Sequence, residues 1–389
     1  MRQLLFVFSL CLTLVFPPRA LADQVIVPAP PQVAARAYLV LDADSGKVLV
    51  EHNADEPLAP ASLTKMLTSY IISEEILAGR LNENDLVRVS ENAWQKGGAA
   101  SGSSTMFLQP GSEVSVIDMM RGVIIQSGND ASIALAEHVA GSESAFADIM
   151  NQQAELLGMK SSHFVNATGW PAEGHVTTAR DLAILARAVI RDHPEHYELY
   201  SEKYFKHNGI NQPNRNKLLF QNKFVDGLKT GHTEEAGFCL VASEKRNDMR
   251  LISVVMGTKS TDARAEESQR LMAYGFRYFA TETLYSRGQI MDQLQQKVWA
   301  GKVDHVQLMV ADDMVATIPR GSRESLKIET QIDKVIKAPI AKGQELGRIV
   351  IRQDSEVVAE QALQAAGDVA EAGFFSRNWD ALMLLFEGS

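Results

Sequence analysis

The sequence predicts an α+β protein: an antiparallel sheet flanked by helices, followed by a small, β-rich second domain. Three observations carry this. Strand-like runs open the chain and return from Gly227 onward, with a long helical stretch between them and no helix–strand alternation of the kind that builds a parallel sheet. The two ends of that stretch can then join in one antiparallel sheet with helices against it. From 290 to 360 the pattern changes to short apolar runs separated by polar turns. The size also fits: 389 residues, 46% hydrophobic and 22% charged, suit two or three globular domains and exclude a disordered, collagenous or disulfide-dense chain.

The elements follow in order. Arg2, the apolar run Leu4 to Phe16 and Arg19-Ala20-Leu21-Ala22 read as a signal peptide over 1–22, since 13 residues fall short of the about 20 that span a bilayer. Leu10 before Cys11 argues against lipidation. Cleavage removes Arg2, Arg19 and Cys11, leaves a formal charge of −12, and leaves Cys239 alone. No intramolecular disulfide is then possible, and Cys239, in an apolar run, reads as a small buried hydrophobe. Residues 23–36, rich in Pro and Ala, form an extended lead-in. Ala37 to Asn53 reads as a hairpin around Asp-Ser-Gly. Pro60 opens a helical region that runs to about Leu199, and Thr178 to Asp181 resembles a capping box. Runs at Ala236–Ser243 and Leu251–Gly257 read as strands, and a helix is expected over Asp262–Ala280. Val306–Val310, Val315–Ile318 and Ile349–Ile351 mark the second domain.

The chemistry begins at Ala61-Ser62-Leu63-Thr64-Lys65. On a helix beginning at Pro60, Ser62 and Lys65 are three apart and share a face. A serine hydroxyl needs a base to become a nucleophile, and an uncharged lysine can be one. Ser-x-x-Lys alone occurs by chance about once in a chain of this length. Ser127-Gly128-Asn129 lies between two helical patterns, on a short loop able to point side chains into a cleft. Lys229-Thr230-Gly231 opens a strand region, where a glycine lets a ligand backbone approach an edge closely. Separately these read as a cap, a turn and a turn glycine. In this order and these contexts they are the trio of serine enzymes that react with β-lactams.

On those motifs the chain resembles the low-molecular-mass penicillin-binding proteins, D-alanyl-D-alanine carboxypeptidases of the penicillin-binding protein 5/6 type. Gln126 to Ala131, Asn214-Arg215-Asn216, His175 to Ala183 and Asp226 to Thr233 stand as that family writes them, and the likeness runs from about Ala37 to the C-terminus. The resemblance implies a transpeptidase-like catalytic domain over 37–287, a β-rich second domain over 288–367 and an anchor helix over 368–389. It implies that Ser62 attacks the carbonyl between the last two D-alanines of a peptidoglycan stem peptide, that Lys65 takes the proton, and that Ser127 relays a proton to the leaving amine. Burial and a nearby Lys229 would keep Lys65 neutral. Asn129 would hold the substrate amide, and Lys229, Thr230 and Gly231 the strand-side contacts and terminal carboxylate. Backbone N–H groups of Ser62 and His232 would form the oxyanion hole. Arg264 is either a further carboxylate ligand or a solvated helix residue. β-Lactam antibiotics would acylate Ser62. The stretch Trp170 to Thr178 places Thr177, where class A β-lactamases have Asn, four residues after Glu173, and Ser127 stands where class C enzymes have Tyr; both favour a peptidase. A non-catalytic penicillin-recognising module is the competing class, and it often lacks a motif member present here.

Other chemistries have less support. Clustered base is absent from this acidic composition, so nucleic acid is not an expected partner. No phosphate-loop motif occurs, and Gly97–Ser104 reads as a loop near the cleft or simply a loop. His193-Pro194-Glu195-His196 reads as a solvated turn, because Pro disrupts the helix that zinc motifs use; no metal or cofactor is expected. At the C-terminus Phe375, Trp379, Leu382, Met383 and Phe386 recur on one helical face, with Arg377, Asp380 and Glu387 off it. Residues 374–386 suit a helix lying in the inner-membrane surface on the periplasmic side; the alternative is a helix packed on the second domain.

Overall fold

The computed structural model describes residues 25–387, so the expected signal peptide lies outside the described residues. The lead-in is docked along the body: Val27, Val33 and Ala35 pack on a hydrophobic core, and the Tyr274 hydroxyl donates to Pro28 O at 2.7 Å. The expected hairpin follows as β1 (Ala37–Asp42) and β2 (Val48–His52). A 3-10 turn at Ala61–Thr64 runs directly into α1 (Lys65–Leu77). Next come β3 (Leu86–Arg88), α2 (Glu91–Gly97), β4 (Glu113–Ser115), α3 (Val116–Ile124), α4 (Asn129–Ala140), α5 (Glu143–Leu157), α6 (Ala179–Asp192) and α7 (Pro194–Tyr197). A small hairpin, β5 (Tyr204–His207) and β6 (Ile210–Pro213), and α8 (Leu218–Gln221) precede β7 (Val225–Thr233), β8 (Gly237–Arg246), β9 (Met249–Thr258) and α9 (Thr261–Tyr278).

Helix starts follow local capping chemistry. Ser90, Ser115, Ser142 and Ser260 each accept from a backbone N–H three residues on. Thr178 caps α6 through Asp181 N at 3.1 Å, but the acid of the expected box turns elsewhere. Asp181 Oδ2 accepts from Ser161 N and Ser162 Oγ and so ties α6 to the preceding loop.

The main sheet has the order β2-β1-β9-β8-β7 and is antiparallel throughout. It thus joins the strands from the two ends of the catalytic region, as the chain order predicts. Both faces are buried, which is why its strands are almost continuously apolar. Leu39, Cys239, Val241, Ile252 and Val254 pack toward α1, α3, α4 and α6. Their neighbours Tyr38, Val40, Leu240, Ala242 and Val255 pack toward α9. Cys239 is fully buried, and burial pushes its thiol up to about 11, an inert core position. β7 is an edge strand, so one of its sides is open to the site described below.

The expected helix Asp262–Ala280 ends at Tyr278, and Phe279–Tyr285 forms β10. That strand falls inside the span 37–287, yet it pairs with β13 (Met314–Pro319) of the second domain. The rest of that domain is β11 (Ile290–Trp299), β12 (His305–Val310), β14 (Lys327–Ile332), β15 (Ile336–Lys337), β16 (Glu345–Gln353) and β17 (Glu356–Ala365), in the sheet order β14-β16-β17-β12-β11-β15. A buried polar node joins the two bodies: Asp42 accepts from Ser45 and Thr281, and Thr317 bridges Ser45 and Thr281. The chain ends in α10 (Phe374–Glu387).

His193 corrects one expectation. Its segment is not a solvated turn: His193 is buried and lies 2.8 Å from Glu74, and Pro194 begins α7.

Candidate active site

Ser62 sits in the 3-10 turn and Lys65 at the first residue of α1, so the helix begins three residues later than Pro60 suggests. The pair still shares a face, with Lys65 Nζ 3.0 Å from Ser62 Oγ. The turn is fixed from two sides. Gly169, at φ +80°, passes so close that a Cβ there would lie 1.8 Å from Ala61 O. His175 accepts from Val165 N at Nδ1, which leaves Nε2 to donate to Thr64 Oγ1 at 2.9 Å. Burial, with His163 and Lys65 nearby, holds His175 down at about 4, so this link stays neutral.

Lys65 is almost completely buried and also donates to Thr168 O at 2.5 Å. Burial pushes its ammonium from 10.5 down to about 7; the positive Arg215 acts in the same direction, while Asp130 and Glu143 oppose it. The cation that helps keep Lys65 neutral is thus Arg215, where the sequence suggested Lys229. Glu143, at the start of α5, supports the same loop by accepting from Ala167 N at 3.2 Å. Its carboxyl is raised by burial.

Ser127 occupies the loop between α3 and α4 in the left-handed region, φ +59°, rare for a residue with a side chain. Asn129 is not on that loop but opens α4. Its N–H donates to Ser104 O at 2.8 Å, and its buried Oδ1 has no partner within the protein. An unpaired buried acceptor at a cleft wall is available to a substrate N–H. Asp130 braces this wall by accepting from Thr105 Oγ1, Met106 N and Leu108 N.

The Lys-Thr-Gly segment lies on edge strand β7. Lys229 is buried behind the wall: Nζ donates to Ser127 Oγ at 2.9 Å and to Thr230 O at 3.3 Å. Burial and the cations Lys65, Arg215 and Arg264 push its ammonium down. Thr230, Gly231, His232 and Thr233 line the open side. Gly231 has a different physical reason from the one expected. A Cβ there would meet Pro60 O at 3.1 Å and Leu63 at 3.2 Å, so the close approach is of the nucleophile turn to β7, within the chain itself. His232 is exposed and stacks on Phe238 at 3.9 Å.

Arg264 is buried, which removes the solvated-helix alternative. From the first turn of α9 it donates to Gly231 O and Cys239 O, and it lines the cleft. Burial lowers it to about 10, still charged at neutral pH. Arg215 was quoted in the sequence without a role, and the fold gives it one. Asn214 donates to Tyr200 O and Glu202 O, and Asn216 to Gly227 O, so two buried amides clamp the loop that carries Arg215 into the cleft. An Asn-Arg-Asn triplet is the signal that could have marked it. Ser103, Ser104 and Gly102 from the 97–104 loop form part of the same wall.

The result is a cleft of about 720 Å³ with Ser62 on its floor, Ser127 and Asn129 on one wall, and β7 with Arg215 and Arg264 on the other. It pairs an activated serine with a neutral lysine and offers two guanidinium groups for an anion. Among the described residues no cluster of His, Cys, Asp and Glu could hold a metal ion.

The comparisons agree with this chemistry. A family model described as D-alanyl-D-alanine carboxypeptidase matches residues 24–260, and one described as the C-terminal domain of penicillin-binding protein 5 matches 279–371. The chain is 45% identical to D-alanyl-D-alanine carboxypeptidase DacC of Escherichia coli K12 over 374 residues, 95% of this chain and 93% of that protein. It is 41% identical to DacA of the same organism over 99% of this chain and 96% of that one. Penicillin-binding protein 5 of Haemophilus influenzae superposes with a TM-score of 0.82 at 41% identity, covering 88% of this chain and all of that one. Penicillin-binding protein D2 of Listeria monocytogenes in its ampicillin-bound form gives 0.55 at 30% identity, covering 64% and 100%.

Proposed function

The chain belongs to the D-alanyl-D-alanine carboxypeptidase family, and on that premise we propose that Ser62, Lys65 and Ser127 carry its chemistry while Asn129, Lys229, Thr230, Gly231, His232 and Arg264 hold the substrate. The reaction is that of a serine-type carboxypeptidase acting on peptidoglycan stem peptides. Ser62 Oγ attacks the carbonyl between the last two D-alanines as neutral Lys65 takes its proton. The oxyanion rests on backbone N–H groups of Ser62 and His232. As the C–N bond breaks, the leaving D-alanine amine takes a proton from Ser127, which Lys229 orients from behind. Water then hydrolyses the Ser62 ester. Arg264, with Arg215 and Thr230, attracts the terminal carboxylate and makes the cut exo-acting. Penicillins, which carry a carboxylate beside a strained amide, acylate the same serine.

The observation that carries this is Lys65: a lysine brought down to about 7 by burial, within 3.0 Å of a serine at the floor of a cationic cleft. Ser62→Ala should abolish both labelling by penicillin and release of D-alanine. Covalent labelling of that variant would overturn the assignment.

We also assign the protein to the periplasmic face of the inner membrane, exported through residues 1–22 and attached by α10. No helix among the described residues is long and apolar enough to cross a bilayer. In α10, Phe375 is 88% and Trp379 64% exposed, and Leu382 and Met383 are exposed beside them. Its polar side meets the second domain instead: Asp380 accepts from Ala300 N at 2.7 Å, and Arg377 pairs with Glu371. That orientation turns the apolar stripe outward and suits an interfacial helix.

A further inference from the structure

The β5–β6 hairpin stands beside the cleft and carries an outward face that the catalytic reading leaves unused. Tyr204 pairs across the hairpin with Pro213, and Lys206 with Asn211, so these four residues share one face. All four are exposed. Pro213 is itself part of the cleft wall, so the face continues directly from the site. The opposite face is held to the body by Gln126 donating to Phe205 O and Gln212 to Thr105 O, which makes the hairpin a fixed shelf. Tyr204 meets Phe220 edge to face at 5.6 Å, and Phe220 also reaches the cleft. Lys203 Nζ lies over the Phe220 ring at 5.8 Å. The neighbouring acids are engaged elsewhere: Glu202 with Arg121, and Asp262 with Lys217. Two exposed aromatic rings and the cations Lys203 and Lys206 therefore extend the site in a protein whose formal charge is −10.

We propose that this shelf binds the glycan-peptide strand from which the reacting stem peptide projects. The inference rests on the carboxypeptidase reading, because the scissile peptide is the short end of a polymer that must lie just outside the cleft mouth. The ring faces of Tyr204 and Phe220 match the C–H faces of sugars, and the lysines match the free carboxylates of stem peptides. Cations at such a rim act mainly on capture and are weakened by salt.

The test is the variant Lys203→Ala/Tyr204→Ala/Lys206→Ala in the full mature chain. Cosedimentation with isolated sacculi should weaken about fivefold or more, as rim contacts of this kind allow. D-Alanine release from sacculi should fall with it, while kcat/KM on a synthetic tripeptide ending in D-Ala-D-Ala stays within about twofold. Lys203→Arg/Lys206→Arg should retain sacculus binding, and wild-type binding should decline with added salt. Unchanged sacculus binding, or equal losses on both substrates, would overturn the proposal. So would a loss confined to vesicles of phosphatidylethanolamine and phosphatidylglycerol, or a wild-type dimer that the variant breaks. A wild type inactive on the tripeptide would instead sink the carboxypeptidase reading, and the cosedimentation would still decide the shelf.

Discussion

Lys65 is held where its charge is unwelcome, and that makes the variant Lys65→Met informative. In the unfolded chain this side chain keeps its proton up to pH 10.5, and in the folded protein only up to about 7. Between those limits the unfolded state binds more protons, so stability rises with pH across the window. The burden of burying Lys65 is therefore complete below pH 7 and gone above 10.5. At about 1.4 kcal/mol for each pH unit it reaches about 5 kcal/mol at pH 6.5. Methionine matches the shape without the amine. It forfeits the contacts with Ser62 Oγ and Thr168 O, and the orphaned carbonyl costs about 1–3 kcal/mol. The variant should be inactive yet more stable than the parent by roughly 2 kcal/mol at pH 6.5. At pH 9.5 only about 1.4 kcal/mol of the burden is left, and the two proteins should be nearly equal. Relief of Lys229, which Lys65 also pushes down, acts in the same direction. Urea unfolding at the two pH values measures both differences. A variant less stable at pH 6.5, or a difference that does not change with pH, would show that Lys65 is not buried as an unwelcome charge.

Other expectations follow from the same geometry. The second-order rate of acylation by penicillin should rise with pH through a midpoint near 7, the pH at which Lys65 loses its proton, and Arg215→Gln should move that midpoint upward because a repelling cation is lost. A profile in Arg215→Gln that coincides with wild type would remove Arg215 from the account. Gly169→Ala should cut acylation sharply and cost about 3 kcal/mol or more of stability, since the new methyl would occupy the place of Ala61 O and the residue sits at φ +80°. A stable, fully active Gly169→Ala protein would contradict the close approach. Ending the chain at Ala372 removes α10 and should release an active enzyme from membranes, with little salt dependence in the full-length protein's attachment because Arg377 stands beside Asp380 and Glu387. Cell fractionation decides it: a truncated chain that still sediments with membranes would refute the anchor.

Much of the protein was legible in its residues. The strand–helix–strand order fixed the antiparallel sheet, because the continuous apolar runs of β8 and β9 have only each other and β1 to pair with. The spacing of Ser62 and Lys65 placed them on one face whether the chain forms a 3-10 turn or an α-helix, since residues three apart are neighbours in both. β14 and β17 escaped notice because they are largely exposed and carry little of the alternation that marks a half-buried strand. β10 escaped because Phe279 and Ala280 continue the apolar pattern of α9 and the change from helix to strand is dictated by pairing with β13.

The sequence by itself determined which chemical groups are present and which lie close along the chain: a nucleophile with its base, a capped α6, an amphipathic final helix. Tertiary structure alone decided how those groups behave. Lys65 titrates near 7 because segments a hundred residues away exclude water from it and bring Arg215 into its field. Lys229 lies behind the cleft wall, bonded to Ser127, because β7 is an edge strand set against the α3–α4 loop. Arg264 is buried and aimed inward by α9, and Gly231 makes room for the Ser62 turn and not for a ligand backbone. Desolvation, electric field and close approach between distant segments depend on three-dimensional distance, and a linear order of residues does not contain that distance.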